Sequence, residues 1–174
     1  DVTPTFIDVA GGKPIAPLDG RSFLPVLRGK ADTHKDFVYG IMTTRGIHYG
    51  TDAFAIRSVR DTRYKLILNL NHESKFTNAC TKSPMFQSMI AKAKSGDATA
   101  KRLVHAYHHR PAVELFDMKN DPLEMANLAG QSDTKKTEMR LRQKLSAWMK
   151  AQGDQGVATE LKARERQGRG RKRK

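Results

Sequence analysis

Cysteine is nearly absent from this sequence of 174 residues, and long apolar runs are missing altogether. A single cysteine excludes a disulfide scaffold and a cysteine-based metal cluster, but it leaves the redox compartment undecided. No stretch approaches the roughly 20 apolar residues that a membrane span needs. The 13 glycines and 7 prolines are too few for a collagen-like or low-complexity chain. These absences favour a folded chain of about one domain in length.

Acidic residues are also scarce: 18 Asp and Glu face 32 Lys and Arg, which leaves a formal charge of +14. Residues 161–174 hold eight basic residues and one acidic residue, so they supply +7 of this excess. Because so polar a segment cannot offset its ordering entropy, we expect residues 153–174 to form a disordered basic tail. Such a tail is either an electrostatic arm for a polyanion, nucleic acid included, or a solvated terminus without a partner.

The spacing of apolar residues indicates an α+β fold. Alternation and β-rich runs predict strands over 37–42, 53–59, 64–70 and 112–118. Helical spacing predicts helices near 85–93, 100–107 and 133–152, with short helical turns near 3–10 and 23–27. Since strands and helices do not alternate regularly, we expect an antiparallel sheet with helices packed on one face.

No convincing catalytic constellation is visible in the sequence. His105 and His109 share one helix face, as in helical zinc sites, but no further ligand is evident, so histidines at a helix end are the better interpretation. Cys80 has only Lys82 nearby to activate it. The sequence also starts at Asp1, without a secretory segment. We therefore expect that a preceding part has been removed or that this is a piece of a longer protein, with most of any chemistry elsewhere.

Three motifs nevertheless occur in a fixed order across residues 1–152. The first joins Pro4–Gly11 to Leu18–Leu27, the second joins Ala55–Arg57 to Arg63–Ile67, and the third runs through Glu114–Asp117, Asp121–Glu124 and Asn127–Ala129. Together they resemble the C-terminal region of the formylglycine-dependent sulfatases. Further details, in Asn69–Asn71, Ser83–Gln87 and Tyr107–Arg110, resemble the heparan N-sulfatase (sulfamidase) branch of that family.

The resemblance implies a part of an alkaline-phosphatase-like α/β hydrolase that acts on sulfated glycans. In that family a formylglycine, made from the Cys or Ser of a C-x-P-S-R motif, attacks sulfur while a calcium ion neutralises the sulfate oxygens. Cys80 departs from the motif, because Lys82 and Pro84 stand where it needs Pro and Arg. We therefore expect the formylglycine and the calcium site to lie upstream of Asp1, and this chain to be inactive alone.

The resemblance also implies a domain organisation. Residues 1–30 correspond to the end of the catalytic domain and a connector, residues 31–152 to the C-terminal subdomain, and residues 153–174 to the basic tail. The expected partners are a sulfated glycan and the protein's own N-terminal catalytic domain, with no membrane. The alternative is a basic module that binds a polyanion such as nucleic acid through its C-terminal tail, although nucleic acid is the less favoured partner. The family is secreted, periplasmic or lysosomal, but nothing in the sequence itself specifies a location.

Candidate substrate-binding residues lie in the glycine-flanked segment Thr43–Gly50. The resemblance implies that loops of this subdomain help to close the substrate pocket. Arg45 suits bidentate pairing with a sulfate or a uronate carboxylate, and His48 suits a hydrogen bond to a sugar hydroxyl or an N-sulfo group. A surface loop with incidental polar residues is an equal alternative. Arg57 is expected to bridge the two domains, whereas ordinary turns and ion pairs are expected of four acidic residues, Glu114, Asp117, Asp121 and Glu124.

Overall fold

In the computed structural model, the described residues are 1–13, 15–16, 18–44, 50–51 and 53–166. The chain divides into two units, Asp1–Phe37 and Val38–Lys174. The domain boundary expected at residue 30 stays a prediction about the longer protein. No helix among the described residues is long and apolar enough to cross a membrane.

The first unit contains two short helices, α1 (Val2–Val9) and α2 (Leu24–Leu27). Thr5 holds them together: its hydroxyl donates to the Asp1 carbonyl at 2.8 Å and accepts from the Phe23 backbone N–H at 3.0 Å. Pro25 occupies the first turn of α2, where its missing N–H has no intrahelical role. Both predicted helical turns are confirmed.

The second unit is built on a four-stranded antiparallel sheet. Its strands follow chain order, with β1 at Val38–Met42, β2 at Ile56–Arg60, β3 at Tyr64–Asn69 and β4 at Val113–Asp117. A tight turn joins β2 to β3, in which the Asp61 carboxylate accepts from the backbone N–H groups of Arg63 and Tyr64. The four predicted strands are confirmed, with small shifts at their ends.

Both faces of the sheet are covered by helical or loop elements, so the expectation of helices on one face is wrong. The helix α5 (Lys135–Ala151) packs Leu141 and Leu145, both fully buried, on one side. The other side carries an apolar cluster to which the helix α4 (Ala98–His108) contributes Tyr107. Its members are Phe54, Ile56 and Phe76 with Met42, Ile67 and Tyr107. Side chains alternate between the two faces along a strand. Ile56 and Ile67 therefore point to this side, while their neighbours in each strand point to the side that α5 covers.

Two helices fill the connection between β3 and β4: α3 (Pro84–Lys94) and α4 (Ala98–His108). Ser83 caps α3 by accepting from the Phe86 N–H, and Asp97 caps α4 by accepting from the Ala100 N–H. Between them Gly96 has a φ of +101°, which an L residue rarely adopts. These caps confirm the two predicted helices.

The predicted disorder of residues 153–174 is wrong for residues 153–166. Two short helices, α6 (Val157–Leu161) and α7 (Ala163–Arg166), follow α5. The segment is ordered because the side chains of Asp154 and Glu160 are buried against polar groups of the β-sheet unit. The net charge of the segment, on which the prediction of disorder was based, does not show these contacts. Residues 167–174 lie outside the described part of the chain.

Candidate functional site

The candidate site is built around the β1–β2 connection, residues 43–55. The two predicted substrate-binding residues, Arg45 and His48, belong to it but lie outside the described residues. The structure describes the residues on either side, Thr43, Thr44, Gly50 and Thr51 among them. These flanking residues show how the connection is held.

A buried carboxylate from α6 fixes the start of the connection. Glu160, only 2% exposed, accepts from the Thr43 hydroxyl at 2.5 Å and from the Thr44 backbone N–H at 3.0 Å through the same oxygen, Oε1. Hydrogen bonds to a carboxylate are stronger than those between neutral groups, and burial increases their strength. The first two residues of the connection are therefore tied to a helix 116 residues further along the chain.

The same point also holds the end of the connection. Thr44 is buried, and its Oγ1 accepts from the Phe54 backbone N–H at 2.7 Å. Phe54 is itself fully buried in the apolar cluster. Residues 45–53 therefore start and finish at one hydrogen-bonded position. We call this arrangement of Glu160, Thr43, Thr44 and Phe54 the clasp.

A second attachment lies nearer the middle of the connection. The Thr51 hydroxyl donates to the Lys75 carbonyl and accepts from the Thr77 backbone N–H, each at 2.7 Å. Thr51 also donates its own N–H to the Thr77 carbonyl at 3.1 Å. The connection is thus bonded to the segment that carries Phe76.

Arg57 lies on β2, and its Nη1 donates to the carbonyl of Met42, the residue before Thr43, at 3.4 Å. It is 1% exposed, and its guanidinium donates from Nε to Asp154 Oδ2 at 2.5 Å and from Nη2 to Asp154 Oδ1 at 3.2 Å. Burial alone would raise the pKa of the Asp154 carboxyl, but hydrogen bonds from Arg57 and the Gly156 N–H hold that pKa below its ordinary value. Arg57 is therefore neutralised within its own unit, which corrects the expectation that it bridges two domains.

The clasp borders a pocket of about 400 Å³. Its walls come from the end of β1, from β2, from α5 and from the segment that follows α5 up to residue 163. They include Thr43, Arg57, Trp148, Asp154 and Glu160. The Trp148 indole stacks in parallel on Tyr39, with 4.8 Å between ring centroids. Since the charges of Arg57 and Asp154 are paired, the wall they form is polar with little net charge.

The acidic turn residues behave as expected. Arg63 donates to Asp117 from Nη2 at 2.7 Å and from Nε at 3.1 Å, and Lys65 pairs with Glu124 at 2.8 Å. The hydrogen bond from Arg63, opposed by burial and aided by backbone N–H groups, lowers the pKa of Asp117 to about 2. Asp121 accepts from the Ala126 N–H in the same turn. The prediction of turn formation or ion pairing is confirmed for Asp117, Asp121 and Glu124. It is wrong for Glu114, which lies inside β4 and accepts a hydrogen bond from Asn69 at 3.0 Å.

The histidines at the end of α4 have structural surroundings. His108 is buried, with Nδ1 at 2.8 Å from the Phe76 carbonyl oxygen, while the exposed rings of His105 and His109 lie 4.8 Å apart. His105 and His108 lie in the last turn of the helix, as the sequence predicts. Nowhere in the described ranges do three His, Cys, Asp or Glu side chains come together as a metal site.

Comparison with characterised proteins identifies the family. An ulvan-active sulfatase from Formosa agariphila is 38% identical over 154 residues, covering 88% of this chain and 29% of that protein. Human N-sulphoglucosamine sulphohydrolase is 32% identical over 162 residues, covering 85% and 31% respectively. The chain belongs to the sulfatase family. It spans about three tenths of the length of these relatives, and its predicted resemblance to the C-terminal region of sulfatases is confirmed.

Solved sulfatase structures share the fold. A putative sulfatase from Bacteroides thetaiotaomicron matches with a TM-score of 0.58 and 25% identity, over 88% of this chain and 25% of that one. A second protein, solved in complex with its substrate D-glucosamine-2-N,6-O-disulfate, matches with a TM-score of 0.57 and 22% identity, over 89% and 24%. No family model matches the sequence. The α+β class predicted for this sulfatase region, an antiparallel sheet with packed helices, is confirmed.

Sequence reasoning missed the residues that hold the β1–β2 connection of this sulfatase. Asp154 and Glu160 lie in the segment that was predicted to be disordered. A usable signal was present, because these two acidic residues lie in a stretch without Lys or Arg, residues 151–161, just before the basic segment begins. Their partners were not readable, since each lies roughly a hundred residues away in sequence.

Proposed function

We propose that this chain is the C-terminal part of a hydrolase that removes sulfate groups from a sulfated glycan. The support is the kinship with an ulvan-active sulfatase and with an N-sulphoglucosamine sulphohydrolase, whose names both specify a sulfated sugar. The two names specify different sugars, so the proposal covers both N-sulfo and O-sulfo groups.

In this proposal the β1–β2 connection borders the substrate. The single observation that carries it is the clasp, which fixes both ends of the segment holding Arg45 and His48. A fixed frame lowers the entropy that two side chains lose when they bind a ligand. Arg45 then pairs with a sulfate or carboxylate, and His48 donates to a sugar hydroxyl or the N-sulfo group.

The reactive groups are proposed to belong to another part of the protein. Sulfatase chemistry depends on a formylglycine nucleophile and a calcium ion, and the described residues do not fit either one. Cys80 is exposed and has Lys82 and Pro84 at the motif positions, while the described carboxylates form no cluster suited to calcium. On this proposal the chain alone releases no sulfate.

The expected partner of the first unit is the catalytic part of the same protein. The helix α1 exposes Val2, Phe6 and Val9, at positions i, i+4 and i+7, so they form one apolar stripe. Phe6 is 69% exposed, which is costly for so large an apolar side chain. The proposed catalytic domain would cover this stripe.

Sulfate release provides the test. The 174-residue chain and the longer reading frame containing it are assayed on N-sulfated heparan, O-sulfated heparan and ulvan. We expect no release from the chain alone and release from the longer protein. In the longer protein, Arg45→Ala and His48→Ala should each raise KM about tenfold, the effect of losing one charge-assisted contact.

The matched control is Arg60→Ala, which removes an exposed arginine from the far end of β2. It should leave KM unchanged. Sulfate release by the chain alone would refute the proposal that the reactive groups lie in another part of the protein. An unchanged KM in both Arg45→Ala and His48→Ala would refute the proposal that the β1–β2 connection binds the substrate.

A further inference from the structure

The positive charge of this chain is concentrated in two segments. Residues 161–174 supply +7 of the total of +14. Between Glu73 and Glu114 lie seven Lys and Arg residues and a single acidic residue, Asp97, which gives a net charge of +6. The rest of the chain therefore carries only +1. The stretch between the two glutamates is the connection that contains α3 and α4, so this second excess of charge is carried by folded helices.

A row of basic side chains follows the exposed side of α4. Lys101 and Arg102 lie four and three residues before His105, so the three share one face of the helix. The ring of His109, which follows the helix, lies 4.8 Å from that of His105. These four residues are exposed, as is Lys75 in the segment before α3. We call these five residues the basic face.

The opposite side of α4 is packed, which holds the basic face in place. Ala100 and His108 are buried, and the Tyr107 ring lies 4.9 Å from the ring of Phe86 on α3. Arg102 and the end of the helix are about 9 Å apart along its axis, at 1.5 Å per residue. The charges are therefore displayed in a row of fixed spacing.

No ion pair neutralises the basic face within the part of the chain that the structure describes. The carboxylate of Asp97, the one acidic residue of the segment, pairs with Lys92 at 3.3 Å. The helix α5 differs, because it pairs Arg142 with Glu138 on its own surface. Like charges three or four residues apart on a helix repel each other. An external polyanion would relieve this repulsion.

The basic face continues from the β1–β2 connection. The Thr51 hydroxyl of that connection is bonded to the Lys75 carbonyl and to the Thr77 N–H, each at 2.7 Å. Between these two residues, the Phe76 N–H donates to the His108 carbonyl at 2.8 Å. The segment 75–77 therefore lies between the connection and the end of α4. A glycan chain that extends from the connection over this segment reaches the basic face.

We propose that the basic face binds the sulfated glycan chain beyond the sugar whose sulfate is hydrolysed. Lys75, Lys101 and Arg102 supply exposed cations, and the ring N–H groups of His105 and His109 donate to sulfate or carboxylate oxygens. A row of exposed cations suits a long polyanion, whose charges repeat along its length. This inference rests on the proposed function for the identity of the polyanion.

Binding of an N-sulfated heparan dodecasaccharide to the 174-residue chain tests the basic face. The readouts are calorimetric affinity and the backbone amide NMR signals. We expect the signals of residues 101–109 to shift. The double variant Lys101→Gln with Arg102→Gln should weaken binding about tenfold, the combined effect of two exposed ionic contacts. This loss should shrink as salt is added, because salt screens exposed charges.

The matched control is the double variant Lys135→Gln with Lys136→Gln, which removes the same charge from the exposed start of α5. It should weaken binding by less than about twofold, although the basic tail is present in every variant. Glutamine is a good helix former, so both double variants should fold. Thermal unfolding checks this, and the NMR signals of the unmodified chain locate the contact even where a variant is unfolded.

Two further probes test which polyanion binds. The unsulfated, N-acetylated dodecasaccharide keeps only its carboxylates and should bind about tenfold more weakly or less, because it offers fewer anionic groups. A single-stranded DNA 12-mer should also bind more weakly at the same ionic strength. The basic face contains no Phe, Tyr or Trp on which bases could stack.

The outcomes separate this inference from the proposed function. Unmoved signals at residues 101–109, or equal losses of affinity in the two double variants, would overturn the basic face as a binding site. Equal affinity for the unsulfated probe, or tighter binding of DNA, would overturn its assignment to a sulfated glycan. Failure of the longer protein to release sulfate, with dodecasaccharide binding still dependent on Lys101 and Arg102, would instead overturn the proposed function alone.

Discussion

Replacing Glu160 by alanine should loosen the β1–β2 connection without unfolding the sheet. The substitution removes the acceptor for the Thr43 hydroxyl and for the buried Thr44 N–H. Hydrogen bonds to charged groups contribute about 1.5–3 kcal/mol each, and water replaces part of the loss at half-buried Thr43. The expected loss of local stability is therefore about 3 kcal/mol, or roughly a hundredfold in an opening equilibrium.

Native-state hydrogen exchange measures this opening directly. The informative amides are those of Thr44 and Phe54, since both donate into the clasp. Their exchange should accelerate roughly a hundredfold in Glu160→Ala, while amides paired between β3 and β4 keep their rates. Glu160→Gln, which retains an acceptor oxygen without the charge, should give a smaller acceleration.

Glu165→Ala is the matched control, because Glu165 is an exposed glutamate on the neighbouring helix. It should leave the amides of Thr44 and Phe54 unchanged. The reasoning fails if Glu160→Ala accelerates those two amides no more than it accelerates the amides of β3 and β4, since the effect would then be global. It also fails if Glu165→Ala has an equal effect.

Two further predictions concern stability. Beside Arg63 the pKa of Asp117 is about 2, below its ordinary value of 3.8. The ionised carboxylate therefore stabilises the folded chain fully above about pH 4, and this stabilisation is lost as the pH falls towards 2. The thermal midpoint should decline less steeply over that pH range in Asp117→Asn than in the unmodified chain. Truncation after residue 152 should lower the midpoint of chemical denaturation markedly, because it removes Asp154 and leaves the Arg57 charge buried and unpaired. Truncation after residue 166 should leave the midpoint unchanged. Equal midpoints for the two truncated chains would contradict the stabilising role of the segment 153–166.

Much of the β-sheet unit was readable from local sequence patterns. The alternation at 64–70 gives β3, and the stripe at Leu141, Leu145 and Trp148 gives the buried face of α5. Capping residues set the start of α3 and α4, because a side-chain acceptor at a helix start satisfies an N–H within a few residues. These features depend on interactions close in sequence, which a single sequence records.

The candidate site depends on interactions that a single sequence does not record. Glu160 lies in a segment whose composition predicts disorder, and its partners are more than 115 residues away. The same limit applies to Arg57, whose carboxylate partner Asp154 lies 97 residues away in sequence. Local composition gives the charge of such residues but not the group that meets it.

The hydrogen bonds that hold the β1–β2 connection come from residues outside the segment 45–49. Thr43, Thr44 and Phe54 carry the clasp through backbone groups and hydroxyls, while Thr51 attaches the connection to the segment around Phe76. None of these bonds involves the side chains of residues 45–49. On the proposed function, substitutions within 45–49 should change the affinity for a sulfated sugar while leaving the hydrogen bonds of the clasp intact.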